Sequence, residues 1–349
     1  MSTTSSLRKA IKVWYEANKR DLPWRHTRDP YRIWLSEVIL QQTRVEQGRS
    51  YWEKFTERYP KVSDLAKAPE DEILKLWQGL GYYSRARNLR SAAVQVMEEH
   101  GGQFPKDMAG LKSLKGVGDY TAAAIASICF DVPEAVVDGN VYRVLARIRG
   151  VSTPIDSSEG RWEFKELART LLDREHPGDH NQAMMELGAT VCTPRAPKCN
   201  ECPAYSACSA RMEGRIDLLP VKAGRTKVRV RHFNYLFISC KDGFFIQKRT
   251  GKDIWQNLYE LPLIESDRPL SLGRLKAEIS HDGIKKSGPV RQHILSHQKI
   301  EAAFWELKGA IEERPGWIAV TFTDLKDYAL PRLLDRWLTE RSEMEQPHR

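Results

Sequence analysis

The chain has 349 residues, 41% hydrophobic and 29% charged, and carries a formal net charge of +9 with a sequence pI near 9.2. This composition is typical of a globular protein with room for two domains, and no apolar run is long enough to cross a membrane. The positive charge favours a polyanionic partner. Because the polar N-terminus lacks the apolar core of a signal peptide, we expect a cytosolic protein.

The first 210 residues are predicted to be helical almost throughout, since apolar residues recur at helical spacing and no strand pattern precedes residue 210. A first helix carries the apolar stripe between Leu7 and Tyr15. Asp29-Pro30 is a favourable helix start and predicts a helix over residues 31–50. Further stripes predict helices near residues 73–77, 89–97, 121–130 and 141–149.

The pattern changes after residue 212. Residues 213–230 lack apolar periodicity and predict a linker, which is either a solvated segment or a strap that contacts phosphates. Strand patterns then follow at 233–237, 244–246 and 300–307, before a final helical stripe at 333–338. We therefore predict an all-helical domain (1–212), a basic linker (213–230) and a smaller α+β domain (231–349). Across residues 215–231 the basic side chains are Arg215, Lys222, Arg225, Lys227, Arg229 and Arg231, against Asp217 alone.

Four cysteines form a candidate metal site. Cys192, Cys199, Cys202 and Cys208 lie within 17 residues, separated by six, two and five residues, and nearby prolines exclude a continuous helix. A loop that folds back on itself would let four thiolates converge on one centre. A zinc ion and a four-iron cluster both fit this spacing. The two isolated cysteines are expected to be core residues or surface thiols.

A glycine-containing loop precedes the predicted helix at 121–130. In Gly116-Val117-Gly118 the two glycines favour a tight turn that exposes backbone N–H groups at a helix start. Such a turn can bind a phosphate without reading the base sequence. A simple helix–helix turn would have the same sequence, so both interpretations stay open here.

Two acidic residues stand where a pair of catalytic carboxyls could work. Glu37 lies three or four residues from Ile33, Trp34 and Leu40, on or beside the apolar stripe of its helix. Desolvation there would raise its pKa and suit a general acid near neutral pH, unless its head group is simply solvated. Asp138 precedes a helix, whose N-terminus favours an ionised carboxylate, although plain helix capping explains it equally. One neutral and one ionised carboxyl suit glycosidic cleavage.

Taken together and in order, six segments resemble the MutY family of adenine DNA glycosylases, within the endonuclease III superfamily. The resemblance covers nearly the whole chain. It implies an all-α helix–hairpin–helix glycosylase domain with an iron–sulfur loop, followed by a smaller α+β MutT-like domain of Nudix fold. The matching segments are Leu22–Arg25, Trp34–Thr43, Gly79–Leu89, the loop at 114–121, Val137–Val141 and the cysteine spacing.

The resemblance implies roles that the residue types leave open. The four cysteines become ligands of a [4Fe-4S] cluster, and the glycine loop becomes an anchor for DNA phosphate. Glu37 becomes the acid that protonates adenine on its five-membered ring. Asp138 becomes the carboxylate that stabilises the sugar cation, with or without a covalent intermediate. Tyr120 and Asn140 match residues that support this site, and Arg25 lies close to it.

The implied substrate is double-stranded DNA with adenine mispaired with 8-oxoguanine or guanine, and the target adenine must leave the base stack. Gln42, Leu80 and Tyr82 match residues that fill or wedge the gap around the lesion pair. Considered alone, they would be one polar residue at a helix end and two core residues. We expect a monomer without a membrane partner, cytoplasmic and, in a bacterium, associated with the nucleoid.

The C-terminal domain resembles the MutT-like domain that reads 8-oxoguanine, with the match centred on residues 253–262. No glutamate-rich metal-binding helix follows in the sequence, so we expect recognition without hydrolase activity. Family members commonly have Phe-Ser-His in the loop that contacts the lesion, and this chain has Leu295-Ser296-His297. The hydrogen-bonding residues remain, while a leucine wedge replaces the aromatic stacking partner.

Three other interpretations compete with this one. An endonuclease III-type enzyme would remove oxidised pyrimidines and nick the strand through a Schiff base, which needs a lysine where this chain has Tyr120. A non-catalytic lesion-binding module would have no need of both Glu37 and Asp138. A zinc protein of the transcription machinery would be colourless. We therefore expect a monofunctional glycosylase with weak or no lyase activity.

Overall fold

The structure is a computed structural model that describes residues 3–224, 228–308 and 313–345. The chain forms two compact units. The first contains Met1–Lys67 and Ser91–Arg225, and the second contains Ala68–Arg90 and Thr226–Arg349. The sequence predicted domains that are each continuous in the chain, whereas the second unit also contains Ala68–Arg90 from the helical region.

The region before residue 225 is helical in its described residues, and the first strand begins at Arg229. No described helix is both long and apolar enough to span a bilayer. The described residues before 225 form twelve α-helices: α1 (Thr3–Asn18), α2 (Pro30–Ile39), α3 (Val45–Arg58), α4 (Val62–Lys67), α5 (Glu70–Leu76), α6 (Ser84–Glu99), α7 (Met108–Ser113), α8 (Asp119–Phe130), α9 (Gly139–Arg149), α10 (Ser158–Leu171), α11 (Pro177–Thr190) and α12 (Ser209–Met212).

The start of α2 follows from its sequence, but its predicted length is wrong. The Asp29 carboxylate accepts the backbone N–H of Tyr31 at 3.0 Å and caps the helix, as the Asp-Pro pair predicts. A helix over 31–50 does not form, because α2 ends at Ile39 and α3 starts at Val45. Gln42 lies between them with φ +55°, a left-handed conformation that no α-helix contains.

Helix α8 lies at the centre of the first unit and packs against α2, α7 and α11. Its residues from Thr121 to Ile128 are all buried, and most are small. Small side chains let neighbouring backbones approach closely: a Cβ at Gly178 of α11 would lie 2.8 Å from the backbone of Ile128. This packing fixes the ends of α2, α8 and α9, where the candidate site residues lie.

A mixed sheet forms the second unit. Its central strand β1 runs parallel to β7, from Arg229 opposite Gln298 to Ile238 opposite Leu307. Both faces of β1 are covered, so Phe233–Ile238 are buried without a break, as in a central strand. The elements are β1 (Arg229–Cys240), β2 (Gly243–Lys248), β3 (Tyr259–Glu260), β4 (Leu263–Ser266), α13 (Leu272–Ile279), β5 (Ile284–Lys286), β6 (Arg291–Ile294), β7 (Gln298–Leu307), β8 (Trp317–Val320) and α14 (Arg332–Glu345).

Helix α5 belongs to the second unit through polar contacts. Asp71 accepts from Lys248 Nζ at 2.6 Å and from Tyr259 Oη at 3.0 Å. Lys75 Nζ donates to the carbonyl oxygens of Leu325 and Tyr328, at 3.0 and 2.8 Å. These bonds hold α5, and with it the glycine-rich loop that follows, against the sheet.

Candidate functional site

The carboxyl of Glu37 is buried in the first unit. It lies on the inner face of α2, where the residues from Ile33 to Ile39 are all buried. Tyr120 Oη, on the first turn of α8, donates to Glu37 Oε2 at 2.6 Å. Burial raises the pKa of Glu37 from 4.5 to about 7, and the Tyr120 hydrogen bond partly opposes that rise. A carboxyl with this pKa can deliver a proton near neutral pH.

Asp138 is the N-cap of α9. One carboxylate oxygen accepts the backbone N–H of Val141 at 2.7 Å, and the other accepts Asn140 Nδ2 at 2.9 Å. Burial raises the pKa of Asp138 above its ordinary value, and the two donors and the Arg143 guanidinium offset only part of that rise. Asp138 therefore does cap the helix, as the simpler interpretation of its sequence position predicted. The donors to both oxygens also favour the ionised form that a cation-stabilising carboxylate needs.

Two residues that sequence reasoning missed hold Asn140 in place. Arg143 Nη2 donates to Asn140 Oδ1 at 2.8 Å, which turns the amide nitrogen toward Asp138. Gly188 of α11 leaves the space for this arrangement, because a Cβ there would lie 2.6 Å from the Asn140 Cβ. The only sequence signal for Arg143 is its helical spacing from Asn140, and Gly188 has no signal of its own.

A third missed residue, Glu186, holds Arg25. Arg25 Nη2 donates to Glu186 Oε2 at 2.7 Å, and Arg20 binds the same carboxylate through two bonds of 2.8 Å. Burial alone would raise the pKa of Glu186, but the hydrogen bonds from Arg20 and Arg25 lower it to about 2. The charge of Arg25 also slightly lowers the pKa of Glu37, so Arg25 belongs to the electrostatic surroundings of the acid.

The predicted phosphate loop joins α7 to α8. Gly116 has φ +78°, which favours glycine, whereas Gly118 is extended and caps α8. Val117 is buried, and its N–H donates to the Leu114 carbonyl at 3.1 Å. The turn therefore has the helix–hairpin–helix form, with Gly118 presented at a helix N-terminus. A Cβ at Gly118 would meet nothing within 4 Å, so this face of the turn is open.

The second unit brings the other predicted DNA-contacting residues together, apart from Gln42 and the glycine loop. Tyr82 is 39% exposed with φ +48°, and its Oη donates to Ser296 Oγ at 3.3 Å. Ser296 Oγ in turn lies 3.2 Å from His297 Nδ1. Leu80 is buried, and it lines one cavity with Tyr82, Leu295 and His297. A core tyrosine is thus the wrong interpretation of Tyr82.

The four clustered cysteines line one pocket. Although all four are among the described residues, no three of their sulfur atoms lie within 4.8 Å of one another. The buried guanidinium of Arg147 organises the loop: it donates to the carbonyl of Thr193 at 2.7 Å and to Cys192 Sγ at 3.5 Å. Two 3-10 turns, at Cys199–Glu201 and Tyr205–Ala207, replace the continuous helix that the prolines exclude.

The basic run at 215–231 is divided by the structure. Arg215 pairs with Glu213 at 2.6 Å. Arg231 is neither linker nor strap, because it lies in β1 with its guanidinium buried against Asp253 and Glu265. The predictions for Arg225 and Lys227 fall outside the described residues.

Comparison with known proteins agrees with this fold. Residues 35–170 match the HhH-GPD superfamily of base excision DNA repair proteins, and residues 234–340 match the NUDIX domain. A solved thermostable thymine-DNA glycosylase is 34% identical, with TM-score 0.56, over 61% of this chain and 100% of its own. An endonuclease III bound to DNA, 23% identical with TM-score 0.52 over 61% and 99%, shows the same fold. The fold and these matches place the chain in the class of helix–hairpin–helix base excision repair proteins that also carry a Nudix-like domain.

The particular family follows from the curated relatives. Adenine DNA glycosylase of Rattus norvegicus is 46% identical over 63% of this chain, and that of Buchnera aphidicola from Schizaphis graminum is 34% identical over 71%. The chain belongs to the adenine DNA glycosylase family, since it also covers 72% of the Buchnera protein. It spans less than half of the rat and human proteins, at 45% and 40% of their lengths.

Proposed function

We propose that the protein is a monofunctional DNA glycosylase that excises adenine mispaired with 8-oxoguanine or guanine in duplex DNA. The observation that carries the proposal is a pair of carboxyls in one unit: the buried Glu37, with a pKa near 7, and the half-buried Asp138, with hydrogen-bond donors on both oxygens. Family membership supports adenine as the base, because the curated relatives are named adenine DNA glycosylases.

The chemistry divides between the two carboxyls. Protonated Glu37 gives its proton to a ring nitrogen of the flipped-out adenine while the glycosidic C–N bond breaks and its electron pair leaves with the base. Adenine then departs neutral, and the Asp138 carboxylate stabilises the positive charge left on the sugar. Water adds to the sugar carbon and loses its proton to Glu37, which restores the acid. Tyr120 orients the Glu37 carboxyl through its hydrogen bond.

The absence of a lysine at position 120 supports the monofunctional form. A bifunctional enzyme needs an amine that forms a Schiff base with the sugar, and the phenol of Tyr120 cannot do so. Burial and the neighbouring Glu37 carboxylate also raise the pKa of Tyr120, so this phenol is a poor nucleophile as well.

The Leu295–His297 turn in the second unit is proposed to read the base opposite the adenine. Ser296 and His297 offer hydrogen-bonding groups, Tyr82 contacts Ser296, and Leu295 lies in the same cavity. We propose that Gln42 and Leu80 fill the space around the mispair, and that Gly116–Gly118 binds a phosphate of the DNA backbone.

We propose that the four cysteines hold a [4Fe-4S] cluster. The four thiols line one pocket, and the resemblance to the family favours a cluster where the spacing alone also allows zinc. When bound, the cluster would supply iron–thiolate bonds that tie residues 192–208 into one fold.

Single-turnover excision on labelled duplexes tests the activity. The panel holds adenine opposite 8-oxoguanine, guanine or thymine, a thymine opposite guanine, and an oxidised pyrimidine. Half of each sample is treated with hot alkali. We expect strand cleavage that depends on alkali at adenine opposite 8-oxoguanine and guanine, and little opposite thymine. Cleavage without alkali at the oxidised pyrimidine, or removal of thymine alone, would refute the proposal.

A further inference from the structure

Five charged side chains meet inside the second unit and form what we call the charge network: Arg231, Arg249, Asp253, Glu260 and Glu265. Arg231 binds Asp253 at 2.8 Å and Glu265 at 2.6 Å. Arg249 binds Asp253 at 2.5 Å and Glu260 at 2.8 Å. None of the five belongs to the proposed catalytic pair, which lies in the other unit.

The network is too costly to be explained by stability alone. Arg231 and Glu260 are buried, and taking such charges out of water offsets most of what their attraction returns. In other proteins, replacing a buried ion pair by well-packed apolar residues of similar volume is often neutral or stabilising. What charged pairs add is direction, because a guanidinium presents its donors in a fixed planar fork.

One arm of the network reaches the turn that carries Leu295, Ser296 and His297. Arg231 Nη1 donates to Gln298 Oε1 at 3.0 Å, and Gln298 immediately follows this turn. The Gln298 carbonyl accepts the N–H of Leu295 at 2.8 Å, which closes the turn. The His297 carbonyl accepts the N–H of Arg229 from β1 at 3.1 Å. Arg231 is thus bonded to the residue on which the turn closes.

A second arm reaches Ile254 and Trp255, which line the same cavity as that turn. One Asp253 oxygen accepts the backbone N–H of Ile254 at 2.7 Å, while the other accepts Arg231 Nη2 at 2.8 Å. Ile254 and Trp255 line the cavity that also contains Leu295 and His297. Asp253 therefore joins the two walls of this cavity through a single carboxylate.

We propose that the charge network is a specificity-determining device: Asp253 and Arg231 act as positioning residues that set the Leu295–His297 turn against the Asp253–Trp255 wall. This inference rests on the proposed function, because it assumes that the turn reads the base opposite adenine. The network then governs the preference for 8-oxoguanine over guanine while leaving base cleavage itself to Glu37 and Asp138.

The test compares Asp253→Asn with the matched control Asp282→Asn, which alters an exposed aspartate 3.8 Å from Lys276 in the same unit. Single-turnover excision is measured with full-length protein on adenine opposite 8-oxoguanine and opposite guanine. We expect Asp253→Asn to lower the ratio of the two rates about tenfold, the effect of one hydrogen bond to a charged group. The control should keep the wild-type ratio. Gln298→Ala, which removes one arm only, should lower the ratio in the same direction.

Coupling distinguishes positioning from general damage. In a His297→Ala background, Asp253→Asn should lower the ratio no further, because both changes remove one recognition element. Equal losses on both substrates, an unchanged ratio in both Asp253→Asn and Gln298→Ala, or additive effects with His297→Ala would overturn the inference alone. If the wild-type protein releases no adenine from either duplex, the proposed function itself is refuted. If it releases adenine equally opposite both bases, only the inference fails.

Discussion

At the scale of residues, the proposed reaction depends on two carboxyls in different surroundings. Burial on α2 favours the neutral form of Glu37, and the hydrogen bond from Tyr120 opposes this only in part. Asp138 sits at a helix start with donors on both oxygens. Identical chemical groups thus have different surroundings, which is the division that the proposed glycosidic cleavage needs.

Glu37→Gln should make the protein more stable above pH 7. Unfolding lowers the pKa of Glu37 from about 7 to its ordinary 4.5. Between these values the folded state binds more protons than the unfolded state, so this group lowers stability as the pH rises and has its full effect above pH 7. The shift corresponds to roughly 3 kcal/mol. Glutamine keeps an oxygen for Tyr120 and carries no charge.

Thermal unfolding from pH 5 to 8 checks this prediction. The difference in melting temperature between Glu37→Gln and wild type should grow with pH, and excision should be lost at every pH. The exposed Glu57→Gln variant on α3 serves as the control and should follow the wild type. A melting difference that stays constant across this range would contradict a buried acid with a raised pKa.

At the scale of elements, the site is set by close contacts between helices. Helix α9 begins with Asp138 and Asn140, and α11 passes behind it at Gly188. Motifs and spacing predicted that α2, α8 and α9 would carry the site residues. They did not predict which helix packs behind α9, since that depends on contacts between residues far apart in the chain.

Gly188→Ala should impair catalysis through α9. The new methyl group would lie 2.6 Å from the Asn140 Cβ and 3.0 Å from its carbonyl oxygen, so α9 must move. We expect a loss of about 1–3 kcal/mol of folding free energy, together with slower excision. Chemical denaturation and single-turnover rates measure both effects. Gly273→Ala, where a Cβ meets nothing within 4 Å, is the control. Unchanged excision would contradict the positioning of Asn140 by α11.

Other elements show where sequence patterns stop being informative. The predicted helix over 31–50 is wrong because its apolar stripe continues across the turn at Gln42, whose left-handed backbone has no sequence signal. Arg231 looked like part of a basic linker because charge alone suggests exposure. Its partners Asp253 and Glu265 lie 22 and 34 residues away in the chain, so its burial appears only in the folded sheet.

At the scale of the whole molecule, the sequence predicted a helical domain and a smaller α+β domain, and both are confirmed by the fold and the family matches. The sequence motifs indicated the family because they occur in the family's order along the chain. The inclusion of residues 68–90 in the second unit could not be predicted. It depends on bonds such as that between Asp71 and Lys248, which join segments 177 residues apart.

The metal centre gives a prediction for the intact protein. Purified anaerobically, the protein should be yellow-brown and contain about four iron and four sulfide per chain. Cys202→Ser should lose the colour and the iron and unfold at lower temperature, whereas Cys240→Ser should keep all three properties. Absorption spectra, metal analysis and thermal unfolding measure this. A colourless wild-type protein with one zinc per chain would contradict the cluster.

Asp138 is proposed to contribute a charge to catalysis beyond capping α9. The most direct measurement compares Asp138→Asn with Asp107→Asn, which alters another aspartate N-cap, on α7. Asparagine caps helices as well as aspartate, so both variants should fold and bind a duplex with adenine opposite 8-oxoguanine. We predict that Asp138→Asn binds this duplex with near wild-type affinity and loses single-turnover excision, while Asp107→Asn keeps both. Normal excision by Asp138→Asn would contradict the account.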